Sequence, residues 1–173
     1  PCHNEAQNLP PLTFAIVKAI PNRYDYEIIC VDDGSTDSTG AVIQALGRKD
    51  KKIKGIIFQR NFGHQQALIA GIEASKGEVI LMMDADFQHP PELIPKFLKY
   101  WEEGFDLIQA TKKGDKTAGL IKNLQRKIGY KIWETISKGT ITSKTSDFRL
   151  VSSILKEYIS NSNEKEIFLR GIV

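Results

Sequence analysis

The segment that most constrains the fold is a run of five apolar residues, at positions 79–83, that leads directly into Asp84, Ala85 and Asp86. An apolar run this short is typical of a strand buried on both faces, as in a parallel sheet. Side chains alternate along an extended backbone, so Asp84 and Asp86 are predicted to lie on one side, where both can approach one hard cation. Under a simpler interpretation, one aspartate caps the next helix and the other is solvated.

Strand-like and helix-like segments alternate over the first 110 residues. This alternation predicts an α/β fold in which helices cover a doubly wound, mostly parallel sheet. Ligands bind outside the carboxyl ends of the strands in such sheets, which is where the acidic pair falls. Strands are predicted at 26–31, 53–58, 79–83 and 105–110, and helices at 12–20, 38–46, 65–75 and 91–103.

The apolar strand predicted at 26–31 also ends in two acids. Asp32 and Asp33 follow it directly, and Gly34 then marks a turn before residues that suit the start of a helix. Asp32 is assigned to the structure of this turn. The carboxyl ends of two strands are therefore both predicted to be acidic.

The alternation becomes less regular beyond residue 110. Residues 143–149 are interpreted as a polar connection before a helix at about 152–158. Apolar residues recur every four positions from Leu120 to Ile136 with lysines and arginines on the other faces, which predicts a basic amphipathic helix at 119–138. Two interpretations stay open: the apolar face packs on the sheet and the basic back is solvated, or the helix rests on an anionic membrane surface.

The charge distribution is compatible with anionic partners, and the net charge does not by itself imply nucleic acid. The net charge of +3 is small, but positions 96 to 144 hold 11 Lys or Arg against 5 Asp or Glu, so the basic residues are concentrated there. The basic segment can attract an anionic partner, and the acidic strand ends can bind that partner through a bridging cation. Cys2 and Cys30 form no disulfide framework, which favours a reducing compartment. The sequence shows no apolar stretch long enough to cross a bilayer.

Five blocks of polar residues carry the chemistry. They are residues 1–5 (Pro-x-x-Asn-Glu), 31–37 (Val-Asp-Asp-Gly-Ser-x-Asp), 60–63 (Arg-Asn-x-Gly), 84–92 (Asp-Ala-Asp-x-Gln-His-Pro-Pro-Glu) and 147–150 (Asp-Phe-Arg-Leu). In this order they resemble the inverting GT-A glycosyltransferases of the family 2 type. The resemblance is strongest to the polyprenyl-phosphate group, which includes dolichol-phosphate mannose synthases and undecaprenyl-phosphate glycosyltransferases. A lone Asp-x-Asp pair is common, whereas five ordered blocks are specific.

The resemblance implies a Rossmann-like GT-A fold and a metal-dependent transfer of a sugar from a UDP- or GDP-linked donor to a polyprenyl phosphate. It implies a single catalytic domain at 1–173 that lacks the first strand of its sheet and the C-terminal membrane region of some relatives. The expected location is the cytoplasm, peripheral to the membrane through the helix at 119–138, with no nucleic acid partner. Two alternatives stay open: a saccharide acceptor in cell-envelope synthesis, or a non-catalytic module that binds nucleotide sugars.

The resemblance also implies roles for the donor-side residues. Mg²⁺ or Mn²⁺ would be held by Asp84 and Asp86, with Gln88 as a third oxygen ligand, and would neutralise the charge that develops on the leaving diphosphate. Asp33 would accept a hydrogen bond from the nucleobase. Pro1, His3 and Glu5 would line the nucleoside pocket.

On the acceptor side, the resemblance implies that Asp147 and Asp86 are the catalytic residues. Asp147 could orient the acceptor, act as a base, or only pair with Arg149. Arg149 and Arg170 would clamp phosphates, since a guanidinium grips phosphate in a bidentate way. Lys112 stands where relatives often carry an arginine, so it supplies charge without that geometry.

Overall fold

The computed structural model describes residues 1–111 and 145–153. In these ranges each strand predicted from the sequence is present, with bounds that differ by a few residues. The first turn of the first helix contains prolines, whose fixed φ suits that position. The elements are α1 (Leu9–Ala19), β1 (Ile28–Asp32), α2 (Thr39–Lys49), β2 (Ile53–Ile57), α3 (His64–Ala74), β3 (Val79–Met82), a 3-10 turn (Pro91–Leu93), α4 (Ile94–Glu102), β4 (Leu107–Thr111) and β5 (Thr145–Ser152).

The strands form two hydrogen-bonded groups. β1 and β2 are parallel, with Ile28 opposite Ile53, and Cys2 adds a parallel bridge to Asp32. In the second group β5 lies between β3 and β4 and runs antiparallel to both. β3 and β4 are therefore parallel to each other, and β5 is the strand that departs from the parallel pattern.

β5 corrects the interpretation of residues 143–149 as a polar connection. The segment is a strand in the centre of a sheet, where Phe148, Leu150 and Val151 are each at most 2% exposed. Arg149 is almost as deeply buried. Its charge is neutralised by an ion pair with Asp147 at 3.0 Å. Because both members of this pair are charged residues, a buried strand looked polar in the sequence. Ser152 also belongs to this strand, and residues 154–158 of the helix predicted at 152–158 lie outside the described residues.

The antiparallel direction of β5 brings its early residues to the carboxyl end of β3. Arg149 lies opposite Met82, two residues before Asp84. The two groups of strands also share one apolar core with the helices, which includes Leu12 of α1 and Phe97 of α4. The polar residues of two distant sequence blocks thus meet at one edge.

An apolar cavity of about 500 Å³ lies between β1 and β3 and is lined by side chains of both strands and of the helices beside them. Neither Asp84 nor Asp86 is among the residues that line it. The expectation that the domain lacks a first strand stays a prediction.

Candidate active site

Two groups of loops meet at the carboxyl ends of the strands. We call residues 1–5, 32–39 and 60–63 the β1 cluster, because they surround the end of β1. We call residues 64, 84–89 and 147–149 the β3 cluster, because they surround the end of β3. Each cluster contains a pair of acids that directly follows an apolar strand, and the surroundings of the two pairs differ.

In the β1 cluster, Asp33 ties the loop after β2 to the end of β1. Its carboxylate accepts the backbone N–H of Phe62 at 2.7 Å and that of Gly63 at 3.0 Å. Asp33 is only 4% exposed. Its proposed hydrogen bond to a nucleobase would therefore have to coexist with these backbone contacts.

Asp32 holds the turn that follows β1. Its Oδ1 accepts the backbone N–H of Ser35 at 3.0 Å and also the hydroxyl of Ser35. The side chain is buried, and the assignment of Asp32 to turn structure is confirmed. Gly34 within this turn has φ +64, and a Cβ there would lie 2.2 Å from the carbonyl carbon of Arg60, so only glycine fits.

The first residues of the chain are attached to the same turn. The ring of His3 donates from Nδ1 to the carbonyl of Asp33 at 2.9 Å, because a carbonyl can only accept. Asn4 adopts φ 59 and accepts the backbone N–H of Thr36 at 2.9 Å. The backbone N–H of Glu5 donates to the hydroxyl of Thr39 at 2.9 Å. The predicted nucleoside residues are therefore joined into one surface, with His3 exposed.

Pro1 is partly exposed and lies at the start of this surface. Among its neighbours, Cys2 fixes the strand register, because its N–H donates to Val31 and its carbonyl accepts from the N–H of Asp33. Pro1 also lines the apolar cavity between β1 and β3. Its contact with a nucleoside stays a prediction.

In the β3 cluster, the two aspartates stand on either side of a core residue where the chain bends after β3, and their predicted position on one side of an extended backbone stays a prediction. Ala85 is 7% exposed and packs in the apolar core, whereas the side chain of Asp84 is 30% exposed and Asp86 is exposed. Asp86 Oδ1 accepts the backbone N–H of Gln88 at 3.0 Å. Phe87 between them has φ 60, an uncommon conformation for a residue with a side chain.

Two imidazoles flank the carboxylate of Asp84. His64 Nε2 lies 2.8 Å from Oδ1, and His89 Nε2 lies 3.8 Å from Oδ2. Burial alone would raise the pKa of Asp84, but the hydrogen bond from His64 and the charges that both rings can carry outweigh it, so the pKa lies below its usual value. Asp84 is therefore ionised at neutral pH and available to a cation.

His89 joins the backbone of Asp84 to β5, because its Nδ1 accepts the backbone N–H of Asp84 at 2.9 Å. Its ring stacks on Phe148 with a centroid distance of 5.1 Å and an interplanar angle of 11°. On either side of Phe148, Asp147 and Arg149 form an ion pair of 3.0 Å, so the pairing that the sequence left open is present. The side chain of Arg149 is only 4% exposed, and a phosphate would reach it only if its neighbours moved.

The donor chemistry of this edge fits a hard divalent cation. Asp84 and Asp86 offer carboxylate oxygens and Gln88 an amide oxygen, which are ligands that Mg²⁺ and Mn²⁺ take. Over residues 1–111 and 145–153, however, no three His, Cys, Asp or Glu side chains are grouped closely enough to hold an ion by themselves. Phosphate oxygens of a substrate would complete such a shell, as is common for Mg²⁺.

Some predicted residues are not among those that the structure describes. Lys112, Arg170 and the helix predicted at 119–138 lie outside it, so their proposed roles stay predictions. No helix in the described ranges has the length and apolar character that a membrane span requires.

Sequence reasoning missed the partners of Asp84. Neither His64 nor His89 was assigned a role from the sequence. A signal for His89 was its position in the turn that follows Asp86, which brings it back to Asp84. His64 carried a weaker signal as the first residue of α3, directly after Gly63 at φ +99.

The family model and the similar curated proteins all point to one family of glycosyltransferases. Residues 1–159 match the family model described as "Glycosyl transferase family 2". The bactoprenol glucosyl transferase of Shigella phage SfX is 33% identical over 175 residues, which cover 100% of this chain and 57% of the relative. An uncharacterized glycosyltransferase of Synechocystis, sll0501, is 34% identical, with 99% and 54% covered. The chain thus spans about half the length of the curated relatives it matches.

Solved structures agree on the fold. The mannosyltransferase PcManGT from Pyrobaculum calidifontis, in complex with GDP-Man and Mn²⁺, has a TM-score of 0.63 at 17% identity, with 92% of this chain and 44% of that chain covered. Glucosyl-3-phosphoglycerate synthase from Mycobacterium tuberculosis, with Mn²⁺ and UDP-Glc, has a TM-score of 0.62 at 21% identity, with 90% and 55% covered. These neighbours confirm the predicted GT-A type α/β fold.

Proposed function

We propose, on the premise that this chain belongs to glycosyl transferase family 2, that its parent protein transfers a sugar from a nucleotide diphosphate sugar to a polyprenyl phosphate with inversion. The observation that carries the proposal is that Asp84, which is partly exposed, and Asp86, which is exposed, follow β3 directly at the edge where the β1 cluster also lies. Relatives named bactoprenol glucosyl transferase, at 33% identity over the whole chain, support a polyprenyl acceptor.

The donor diphosphate would lie at the β3 cluster. Asp84 and Asp86 would hold Mg²⁺ or Mn²⁺, with Gln88 as a further ligand, and the metal would supply Lewis-acid neutralisation of the leaving diphosphate. The Mn²⁺ in structural neighbours supports a divalent ion without choosing between the two metals. The ionised state of Asp84, with its lowered pKa, favours this role.

The nucleoside would lie on the β1 cluster. Pro1, His3 and Glu5 border the surface at which Asp33 lies, and the hydrogen bonds among these loops fix its shape before a ligand binds. A preformed surface reduces the entropy that the protein loses when the donor binds. GDP-Man and UDP-Glc are the donors in two structural neighbours, and we propose one of these two nucleotides for this protein.

The acceptor would approach from the side of β5. A lipid phosphate is already anionic, so in-line displacement needs little help from a general base, and positioning matters more. Asp147, whose side chain is 14% exposed, is proposed to orient the acceptor or take its proton. Arg149, together with Lys112 and Arg170, is proposed to balance the charge of two nearby phosphates.

A polyprenyl acceptor would place the reaction at a membrane. We propose peripheral attachment at the cytoplasmic face through the basic helix predicted at 119–138. Such a helix binds anionic lipids partly through charge, so attachment would weaken as salt rises. We also propose that residues 1–173 are the catalytic domain of the parent protein.

The experiment that tests this function is a donor panel. The full-length protein is incubated with undecaprenyl phosphate, Mn²⁺ and UDP- or GDP-linked sugars, and both the released nucleoside diphosphate and the glycolipid are measured. Product with one donor supports the proposal. Nucleotide release only when a saccharide acceptor is present would mean that the acceptor is a saccharide and not a polyprenyl phosphate. Tight donor binding without any product would indicate a binding module.

A further inference from the structure

We propose that His89 is a positioning residue that fixes Asp84 from the protein interior. The inference rests on the proposed function only in taking Asp84 as a metal ligand. The contact itself is a property of the folded chain, so it can be tested separately from metal binding.

His89 holds the backbone of Asp84 with one ring nitrogen, and its other ring nitrogen faces the carboxylate. The backbone N–H of Asp84 donates to His89 Nδ1 at 2.9 Å, so Nδ1 carries no proton. The proton of the neutral ring is therefore on Nε2, which lies 3.8 Å from Asp84 Oδ2. A residue whose main chain is held by a buried ring has little freedom to move its carboxylate away from the position that a ligand requires.

The ring of His89 is itself fixed by the core. Only 4% of the residue is exposed, and the ring stacks on Phe148, which is fully buried. Phe148 in turn contacts Phe97 of α4, with a centroid distance of 4.8 Å. His89 thus connects Asp84 to the strand that carries Asp147 and Arg149, the two residues proposed to handle the acceptor.

His64 provides a matched contrast on the same carboxylate. It contacts Asp84 Oδ1 at 2.8 Å from the solvent side, and its own side chain is 43% exposed. No stacking core residue holds it in the same way among the contacts of the described chain. An ion that binds Oδ1 would displace His64 from this oxygen, whereas it can leave the contacts of His89 in place.

The experiment measures Mn²⁺ affinity by electron paramagnetic resonance on the full-length protein with UDP or GDP present, because phosphate oxygens complete the shell of the ion. His89→Phe keeps a ring for Phe148 but removes both nitrogens, and we expect it to weaken Mn²⁺ binding about 10-fold or more, as is typical for groups that orient metal ligands. His89→Asn keeps an acceptor for the Asp84 N–H and should recover part of that loss. The control His64→Phe should not weaken binding, because His64 competes with the ion for the same oxygen.

Nitrogen-15 NMR of the ion-free protein supplies a readout that does not depend on metal. The ring of His89 should show an unprotonated Nδ1 and a protonated Nε2, and the amide signal of Asp84 should move more in His89→Phe than in His89→Asn. If His89→Phe fails to fold, the proposal is tested by the tautomer of His89 in the wild-type protein and by the Mn²⁺ affinity of His89→Asn. A protonated Nδ1 in the neutral ring would refute the contact.

The outcomes separate the two proposals. If Asp84→Asn weakens Mn²⁺ binding but His89→Phe binds like the wild type, the positioning role is wrong and the proposed function stands. If Asp84→Asn itself has no effect, the metal role in the proposed function is wrong, while the tautomer still tests whether His89 holds Asp84.

Discussion

The β1 and β3 clusters begin from the same sequence pattern and reach different chemistry. In each, an apolar strand ends in two acids. Asp32 and Asp33 are adjacent in sequence, both are buried, and their carboxylates accept hydrogen bonds from the protein's own loops. Asp84 and Asp86 are separated by one core residue, and their side chains remain partly or fully accessible. The spacing of the acids therefore separates a structural pair from a pair that can serve a ligand.

The difference also appears in the partners of the acids. Backbone N–H groups surround Asp33, and these can neither leave nor change charge. Imidazoles surround Asp84, and one of them, His64, is exposed and replaceable. A ligand can thus exchange with a partner in the β3 cluster, whereas in the β1 cluster it must bind to a surface that is already complete.

The largest expected effect is a loss of transfer activity on replacing the acids of the β3 cluster, compared with a loss of stability on replacing an acid of the β1 cluster. Replacing Asp84 and Asp86 together by Asn should lower the transfer rate about a thousandfold, or about 4 kcal/mol, because the leaving diphosphate loses its metal. The free energy of unfolding should change little. Asp33→Asn should instead lower it by about 2 kcal/mol, since hydrogen bonds to a charged group are replaced.

Transfer rates and urea denaturation of both variants check this contrast. Mn²⁺-dependent donor binding that survives in the double variant would contradict the metal role. An Asp33→Asn protein as stable as the wild type would contradict the structural role of the adjacent pair.

The second prediction tests how tightly the β1 cluster is packed. Gly34→Ala should lower the free energy of unfolding by about 3 kcal/mol, because an αL residue with a Cβ is strained and this Cβ meets the backbone of residues 60 and 61. Gly63→Ala is the matched control, since it too has positive φ but its Cβ would meet nothing within 4 Å. Its cost should be about 1 to 2 kcal/mol, from strain alone.

Denaturant titration of the two glycine variants measures the difference. Equal losses would mean that the turn after β1 can move away from residues 60 and 61. Such freedom would remove the contrast between a preformed β1 cluster and an adaptable β3 cluster.

The third prediction concerns the core beneath the β1 cluster. Burial raises the pKa of the Cys30 thiol to about 11 from an ordinary value near 9.0. Between these values the unfolded thiol ionises and the folded one does not, so the folded state binds more protons and stability falls as pH rises. The loss should reach about 2 to 3 kcal/mol by pH 11.

Cys30→Ala serves as the control, because comparing its stability from pH 8 to pH 11 with that of the wild type isolates the thiol from other groups that titrate there. Parallel pH profiles of the two proteins would mean that Cys30 is accessible to water.

The sequence predicted the features that depend on local residue patterns, and it missed those that depend on contacts between distant segments. Apolar runs and their spacing predicted the order of strands and helices, and the alternation around Ala85 predicted the exposed pair. β5 was missed because Arg149 is neutralised by Asp147, and a sequence pattern does not reveal that two charges cancel inside a sheet. The backbone N–H groups that donate to Asp33 and the rings beside Asp84 were missed because these contacts form only when separate loops meet.

The smallest expected effect compares the two non-glycine residues with positive φ, one in each cluster. Asn4 is suited to φ 59, because its side chain accepts the backbone N–H groups of Thr36 and Asp37 at 2.9 and 3.3 Å. Asn4→Gly keeps the conformation and removes these bonds, so it should destabilise the fold by about 1 kcal/mol.

Phe87 adopts φ 60 with a ring that is 44% exposed, so its conformation gains little from packing. Phe87→Gly should relieve the strain and stabilise the fold by up to about 1 kcal/mol, although the greater freedom of glycine in the unfolded chain offsets part of this gain. Urea denaturation of the two glycine variants should therefore give shifts of opposite sign. Shifts of the same sign would show that the turn at Phe87 is held by its side chain as firmly as the turn at Asn4, and the β3 cluster would then be as rigid as the β1 cluster.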